Sequence, residues 1–383
     1  MLHDDLLEEA ARRLDLLRKK LATLAPSDCE SELESKFTRD NTIYCQDENI
    51  TYPIVTGVDG GSYTCSTLAF DLYFIKVYGV TITSVEKEGR KQTLLANEKR
   101  IIDIDFMIPP HKLGDRVNLY RDIGELRVIL ESIDAGTRVL ADGSIESLLT
   151  RPTHLKLDQL DRYSNLIDAD VESLVEQRGI NVSSVKPLVE QIAIEETDEK
   201  EAELKSSILE LAEKAILTRK VFEKLLDKEE ILMFVTKTGR STSLFKRQLP
   251  DQYIISMYTR EPGYAVEDET PIRLSSVVRL PKYGGLRDVG SEIGLVRGYV
   301  RLCHGCPVLR IEVVAPLRVL GENGRKVFIE EIRRLYSTCV NGYPYPLLLA
   351  HQKAHIEKKS AEIVIEALGF KGEMTGRESI ELI

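Results

Sequence analysis

Two aspartates stand where a chain can deliver an acid to a site. One closes the run Ile54-Val55-Thr56-Gly57-Val58-Asp59 and is followed by Gly60-Gly61-Ser62. The other closes Arg138-Val139-Leu140-Ala141-Asp142 and is followed by Gly143-Ser144. Each run is short, apolar and rich in β-branched residues, so each reads as a buried strand with its acid at the end. A lone Asp-Gly is first of all turn chemistry. Two such ends, with Glu125 on a helical segment between them, offer three carboxylates from separate elements. Divalent cations such as magnesium take oxygen ligands, and carboxylates holding two ions about 4 Å apart suit phosphodiester hydrolysis.

Other residues carry possible chemistry. His351 and His355 are four apart in a helical pattern, so both can face one way. Gln352 follows His351, so the H-E-x-x-H zinc-protease pattern is absent. One histidine as metal ligand or proton shuttle is the functional reading, and a hydrogen-bonded core histidine the plain one. Tyr343-Pro344-Tyr345-Pro346 is a stiff aromatic lead-in whose tyrosines either pack or contact a base or phosphate. Lys237 ends the strand-like run Ile231–Thr236 and reads as a phosphate contact or a surface lysine. Cys303-His304-Gly305-Cys306 has the spacing of half a zinc site, with no second pair to complete it. With no signal peptide in view, the six scattered cysteines predict reduced thiols.

These side chains need a scaffold. The strand ending at Asp59 is followed by strand-like segments at Ser66–Val77 and Thr81–Lys87, with Gly79 near a turn between them. Ile101–Ile108 adds an edge segment that Pro109-Pro110 breaks. Asp115–Asp134 has helical periodicity, carries Glu125, and stops at Ala135-Gly136. The strand ending at Asp142 follows, giving the order β-β-β-α-β. Leu155–Asp227 is helical and charged. Strands are predicted again at Ile231–Thr236, Ile272–Leu280, Leu295–Leu302 and Val308–Val314. Helices are predicted at Arg325–Ser337 and Leu347–Leu368. A leucine stripe over Asp5–Leu24 predicts an N-terminal helix suited to packing on the chain's own core or, as the favoured reading, to a dimer contact.

The 383 residues are 43% hydrophobic, enough for a large core, and no apolar run is long enough to span a membrane. A soluble, cytoplasmic protein is expected. The net charge is −10, but Thr236–His355 holds 18 Lys/Arg against 11 Asp/Glu, so a basic half suited to a polyanion sits beside an acidic remainder.

Val58-Asp59-Gly60-Gly61-Ser62, Ala141-Asp142-Gly143-Ser144 and Tyr343-Pro344 followed by Ala350-His351 together resemble the NurA nuclease family, over about residues 50–370. The resemblance implies an α/β, RNase H-like core, a mixed β-sheet flanked by helices, with a helical insertion and N- and C-terminal elaborations. It divides one elaborated unit, 1–383, into an N-terminal helical arm at 1–48, a core at 50–154 plus 231–370, and an insertion at 155–230. It implies a manganese-dependent deoxyribonuclease (magnesium being the alternative), a single-strand endonuclease and 5′ to 3′ exonuclease on single- and double-stranded DNA. Two ions, a homodimer and a hexameric HerA-type ATPase partner in DNA end resection come with it. By position, Asp59, Glu125, Asp142 and His351 would hold metal and, with Tyr343, form the active site. Glu131 rivals Glu125 on the same helix. Tyr343 and Lys237 would contact DNA, Lys237 being an addition from its own strand-end position.

Two other classes remain open. Asp59-Gly60-Gly61-Ser62-Tyr63-Thr64 also resembles the phosphate loop of sugar kinases and actin-like ATPases. Those proteins need a second phosphate loop in a duplicated domain, whereas Asp142-Gly143-Ser144 falls inside the first core unit. A non-catalytic DNA-clamping scaffold, in which the acids merely close turns, is the third reading.

Overall fold

The computed structural model describes residues 9, 12–16, 19–20, 28–40, 42, 54–66, 70–87, 90–150, 155–167, 169–177 and 181–369. The leucine stripe read over 5–24 falls largely outside them. The strands are β1 (Thr38–Arg39), β2 (Ile54–Ser66), β3 (Asp71–Lys87), β4 (Arg90–Phe106), β5 (Arg138–Asp142), β6 (Leu232–Thr236), β7 (Gly263–Val266), β8 (Ile272–Arg273), β9 (Ile293–Arg301), β10 (Val308–Pro316), β11 (Cys339–Val340) and β12 (Tyr343–Pro344). The helices that bear on the site are α1 (Leu113–Asp134), α2 (Ile145–Thr150), α3 (Glu199–Lys228), α4 (Asp251–Tyr258), α5 (Gly324–Tyr336), α6 (Tyr345–Ala354) and α7 (Lys358–Ala367).

Ten strands form one mixed sheet in the order β1-β7-β9-β10-β6-β5-β2-β3-β4, with β8 paired to β9. Pairs β2–β5 and β5–β6 are parallel, and the other pairs in the sheet are antiparallel. Three antiparallel strands, a crossover helix and two parallel strands make the RNase H-like core. The sheet is covered on both faces. One layer centres on α1 and α3, where Ile123, Leu126 and Ile129 meet Val58, Val139 and Ala141. The other centres on α5 and α6, where Phe328, Ile332 and Leu347 meet Val55, Leu140 and Met233. The strands therefore alternate faces through a double-sided core, which is why they read as continuous apolar runs. Among the described residues, no helix is long and apolar enough to cross a membrane.

Several segments differ from the sequence expectation. The predicted turn at Gly79 lies in the middle of the 17-residue β3, paired with both Val58 and Lys99. Glycine is needed there for space, since a Cβ would sit 2.5 Å from Val128 Cγ1 of α1. Only Ile272–Arg273 of the predicted strand 272–280 pairs with the sheet; Leu274–Val277 forms a helical turn. Leu274 and Val278, four apart, are both buried by that turn. The helix predicted at 347–368 is two helices, broken at His355, whose ψ of 131° is extended. Cys303 and Cys306 form a disulfide: the turn between β9 and β10 brings their Cα atoms to 5.2 Å, within bridging range.

A seam of charge is buried between α1 and α3. Arg116 pairs with Glu210 at 2.6 Å, Asp122 with Lys214 at 2.9 Å, and Arg127 with Glu213 at 2.5 Å, all nearly inaccessible to solvent. Lys228 Nζ donates to the carbonyls of Ile133 and Asp134 at the end of α1.

Candidate active site

Strand parity assembles the site. Val58 pairs with Ala141 in the parallel β2–β5 register, so Asp59 and Asp142 follow side by side on adjacent strands. Along β2, Val55, Gly57, Asp59 and Gly61 point to the α6 face; along β5, Leu140 and Asp142 point the same way. Asp142 is paired with Val235 of β6, and Lys237 lies two residues beyond it on that same face. Beyond Asp142 the neighbouring strand has ended, so β2 continues past Asp59 with one edge free.

The glycines of β2 set how closely helices approach it. A Cβ at Gly57 would fall 2.4 Å from the Pro346 carbonyl carbon, and one at Gly61 would fall 2.1 Å from the Ala354 carbonyl oxygen. Helix α6 therefore lies directly on the strand between these two points, and His351 comes down onto Asp59: Nδ1 is 2.7 Å from Oδ2. The other Asp59 oxygen accepts the Gly60 N–H at 2.8 Å. Gly60 faces the opposite layer, where a Cβ would fall 2.6 Å from Glu125 Oε1 and 2.7 Å from Arg121 Cγ. The doubled glycine thus has one member for each face. Glu125 reaches the site through the opening at Gly60, from beneath the sheet, with Arg121 Nε 3.6 Å away.

A cavity of about 360 Å³ collects these groups, with Asp59, Glu125, Asp142 and His351 in its wall. Glu131 is not in that wall; it is six residues along α1, roughly 9 Å further by helical rise. Arg121 and His355 also line the cavity. Sequence reading did not single out Arg121. Its signal was the four-residue spacing to Glu125 on one helix face.

Asp59, Asp142 and His351 each present a ligand atom, all within 4.8 Å of one another. Asp59 is only 8% exposed. Burial and then the Asp59 charge raise the pKa of Asp142, against the smaller opposing effects of Lys237 and His351. Two carboxylates held together with little solvent are a donor set short of positive charge, and oxygen plus imidazole ligands suit a first-row divalent cation. The residues fit a divalent ion. Tyr343 stands beside them; burial and the carboxylates of Asp142 and Asp59 raise its pKa. Lys237 Nζ lies 4.3 Å over the Tyr343 ring. Asp59, Glu125, Asp142, Lys237, Tyr343 and His351 thus meet at this end of the sheet, and Glu131 does not join them. Five lie above or at the sheet, and Glu125 comes from below.

A family model described as the NurA domain matches residues 53–356. The protein named DNA double-strand break repair nuclease NurA from Sulfurisphaera tokodaii is 25% identical over 333 residues, 86% of this chain and 84% of the relative. The protein of the same name from Saccharolobus solfataricus is 23% identical over 314 residues, 82% of this chain and 80% of the relative. The crystal structure of the NurA nuclease from Sulfolobus solfataricus superposes with a TM-score of 0.65 at 18% identity, covering 97% of this chain and 96% of that one. A crystal structure of NurA bound to dAMP and manganese superposes with a TM-score of 0.58 at 15% identity, covering 94% and 96%. The shared fold extends over nearly the whole chain, the family match runs from the strand that carries Asp59 to just past His351, and the chain belongs to the NurA domain family.

Proposed function

We propose that this chain is a manganese-dependent DNA nuclease of double-strand break repair. The observation that carries the reading is the apposition of Asp59, Asp142 and His351 within 4.8 Å on the free edge of β2. The names of the relatives, break repair nucleases, give the substrate class. Manganese held there supplies positive charge against the phosphoryl oxygens and acidifies water.

The chain's own residues do the rest. Asp59 and Asp142 are the anionic ligands, and His351 supplies an imidazole nitrogen. Glu125, held near Arg121, faces the cavity as a proton acceptor for the attacking water and as a carboxylate for a second ion. Lys237 neutralises a phosphate of the bound strand. Tyr343 orients the scissile group from beside Asp142. Residues 50–154 and 231–370 act as the catalytic core, with 1–48 and 155–230 as its elaborations. The enzyme cuts single strands internally and degrades single- and double-stranded DNA from 5′ ends. It works in the cytoplasm as a homodimer beside a hexameric HerA-type ATPase that feeds it duplex.

The test is manganese-dependent cleavage of labelled single-stranded and duplex DNA by the wild type and Asp59→Ala, with an EDTA control. Loss of cleavage in a folded Asp59→Ala protein is expected; full activity would remove the reading.

A further inference from the structure

A second recess, of about 280 Å³, opens next to the candidate active site on the far side of Lys237. Its walls are the Lys237-Thr238-Gly239 loop after β6, the start of α4 and the start of β10. Pro250, Tyr253, Pro307 and Val308 give it an apolar lining, and Tyr253 is 38% exposed. Among the described residues, no carboxylate lines it.

Its floor is already satisfied. Gln252 is buried, its Oε1 accepts the Gly239 N–H at 2.6 Å, and its Nε2 donates to the carbonyls of Thr236, Lys237 and Val308. This one side chain ties the loop to β10 and leaves no amide group free to read a ligand's hydrogen-bonding edge. Thr238 and Ser256 add hydroxyls to the wall, but a hydroxyl can either donate or accept and so suits any base edge. The recess therefore selects chiefly by shape and by an aromatic surface.

Asp142 pairs with Val235, and Lys237 follows two residues later, roughly 4.8 Å across and about 7 Å along the sheet from that carboxylate. Helix α4 packs with Tyr299 and Val308 on the face opposite α6, so a nucleic-acid strand running from the cavity to the recess rounds the end of β6 at Lys237. Lys237 joins the two spaces: it lines the recess, and its Nζ stands over Tyr343 on the active-site side. Arg240, just beyond, is exposed. A cation between an acidic cavity and an apolar, aromatic recess matches a nucleic-acid strand, whose phosphate and base alternate in the same way.

We propose that this recess receives the base of the nucleotide adjoining the scissile phosphate, stacked on Tyr253 without regard to base identity, while Lys237 holds the intervening phosphate. The assignment rests on the nuclease reading and specifies where the substrate strand lies.

The experiment uses the full chain with manganese and single-stranded oligonucleotides of one sequence, intact or carrying one abasic position beside the cleaved bond. For the wild type, removing the base lowers kcat/KM by about tenfold, the low to middle range of base–aromatic stacking. In Tyr253→Ala, and in Ser256→Trp, which fills the recess, that abasic penalty falls to near one. Each of the four bases at that position gives a similar wild-type penalty. An undiminished penalty in both variants, or a tenfold preference for one base, would overturn the assignment. Failure of the nuclease reading looks different: wild-type cleavage itself would be absent, or Asp59→Ala would retain it.

Discussion

Gly61→Ala tests the geometry most directly, because it adds one methyl group where α6 meets β2. The added Cβ would lie 2.1 Å from the Ala354 carbonyl oxygen, and real Cβ contacts do not fall below 3.0 Å. The backbone at the end of α6 must therefore retreat by about 0.9 Å, the difference between those two values. Ala354 is three residues from His351 on the same helix, so the 2.7 Å approach of His351 to Asp59 opens by a similar amount. A displacement of about 1 Å among reacting groups costs on the order of 100-fold in rate. Overpacking of this kind destabilises by roughly 1–3 kcal/mol. Single-turnover cleavage of a labelled oligonucleotide across a manganese titration, with thermal unfolding beside it, reads both effects. Gly60→Ala is the matched control. Its Cβ meets the Glu125 carboxylate end and the Arg121 stem, side-chain atoms that can swing aside, so stability should change less while Glu125 loses its aim. A folded Gly61→Ala protein with wild-type rate and manganese dependence would refute the argument from close approach.

Further outcomes follow from the same structure. His351→Ala should raise the manganese concentration for half-maximal activity by more than the roughly 10–100-fold that loss of a mere hydrogen-bonded partner of a metal ligand costs, because it removes a ligand; a binding titration checks it, and unchanged affinity would count against His351. Burial and the Asp59 charge raise the pKa of Asp142, so protons compete with metal there. The acid limb of the pH–rate profile should therefore move to lower pH as manganese is raised, and a limb indifferent to manganese would contradict this. Glu312, buried beneath the Asp142 loop and accepting the Ile145 N–H, has a pKa raised from 4.5 to about 7, chiefly by burial. Its folded pKa lies above its unfolded one, so the fold holds a proton that the unfolded chain releases. Stability from this group is full below about pH 4.5 and is lost as pH rises through about 7. Thermal melts of wild type and Glu312→Gln should diverge across that window; parallel curves would exclude the effect. Gly79→Ala should lower stability by roughly 1–3 kcal/mol through its clash with Val128, read by denaturant melts, and a neutral result would show that α1 can move.

The acids were legible because a short β-branched run ending in Asp-Gly is a local pattern, and two of them in parallel strands land side by side. Tyr343 and His351 were less so: their types suggest chemistry, but only family resemblance linked them to the strands near residues 59 and 142. The same glycine signal misled at Gly79, where it marks a missing Cβ beneath a helix, a long-range demand that local reading takes for a turn. The break at His355 carries no proline or glycine. It arises where α6 leaves β2, so no sequence signal announces it. Residues 272–280 were misjudged because apolar positions four apart fit a helical turn as well as a strand core.

The paired charges between α1 and α3 bear on how far this protein can be shortened. Residues 155–230 look detachable in the sequence, yet they bring the countercharges for Arg116, Asp122 and Arg127. Stranding one such ion costs roughly 3–5 kcal/mol, and three together rival the whole stability of an ordinary domain. Sliding α3 along its neighbour by one turn, about 5.4 Å, would mismatch every pair at once. The segment thus fixes the rotation of the helix bearing Glu125, and any trimmed version must first exchange those three ions for oily side chains.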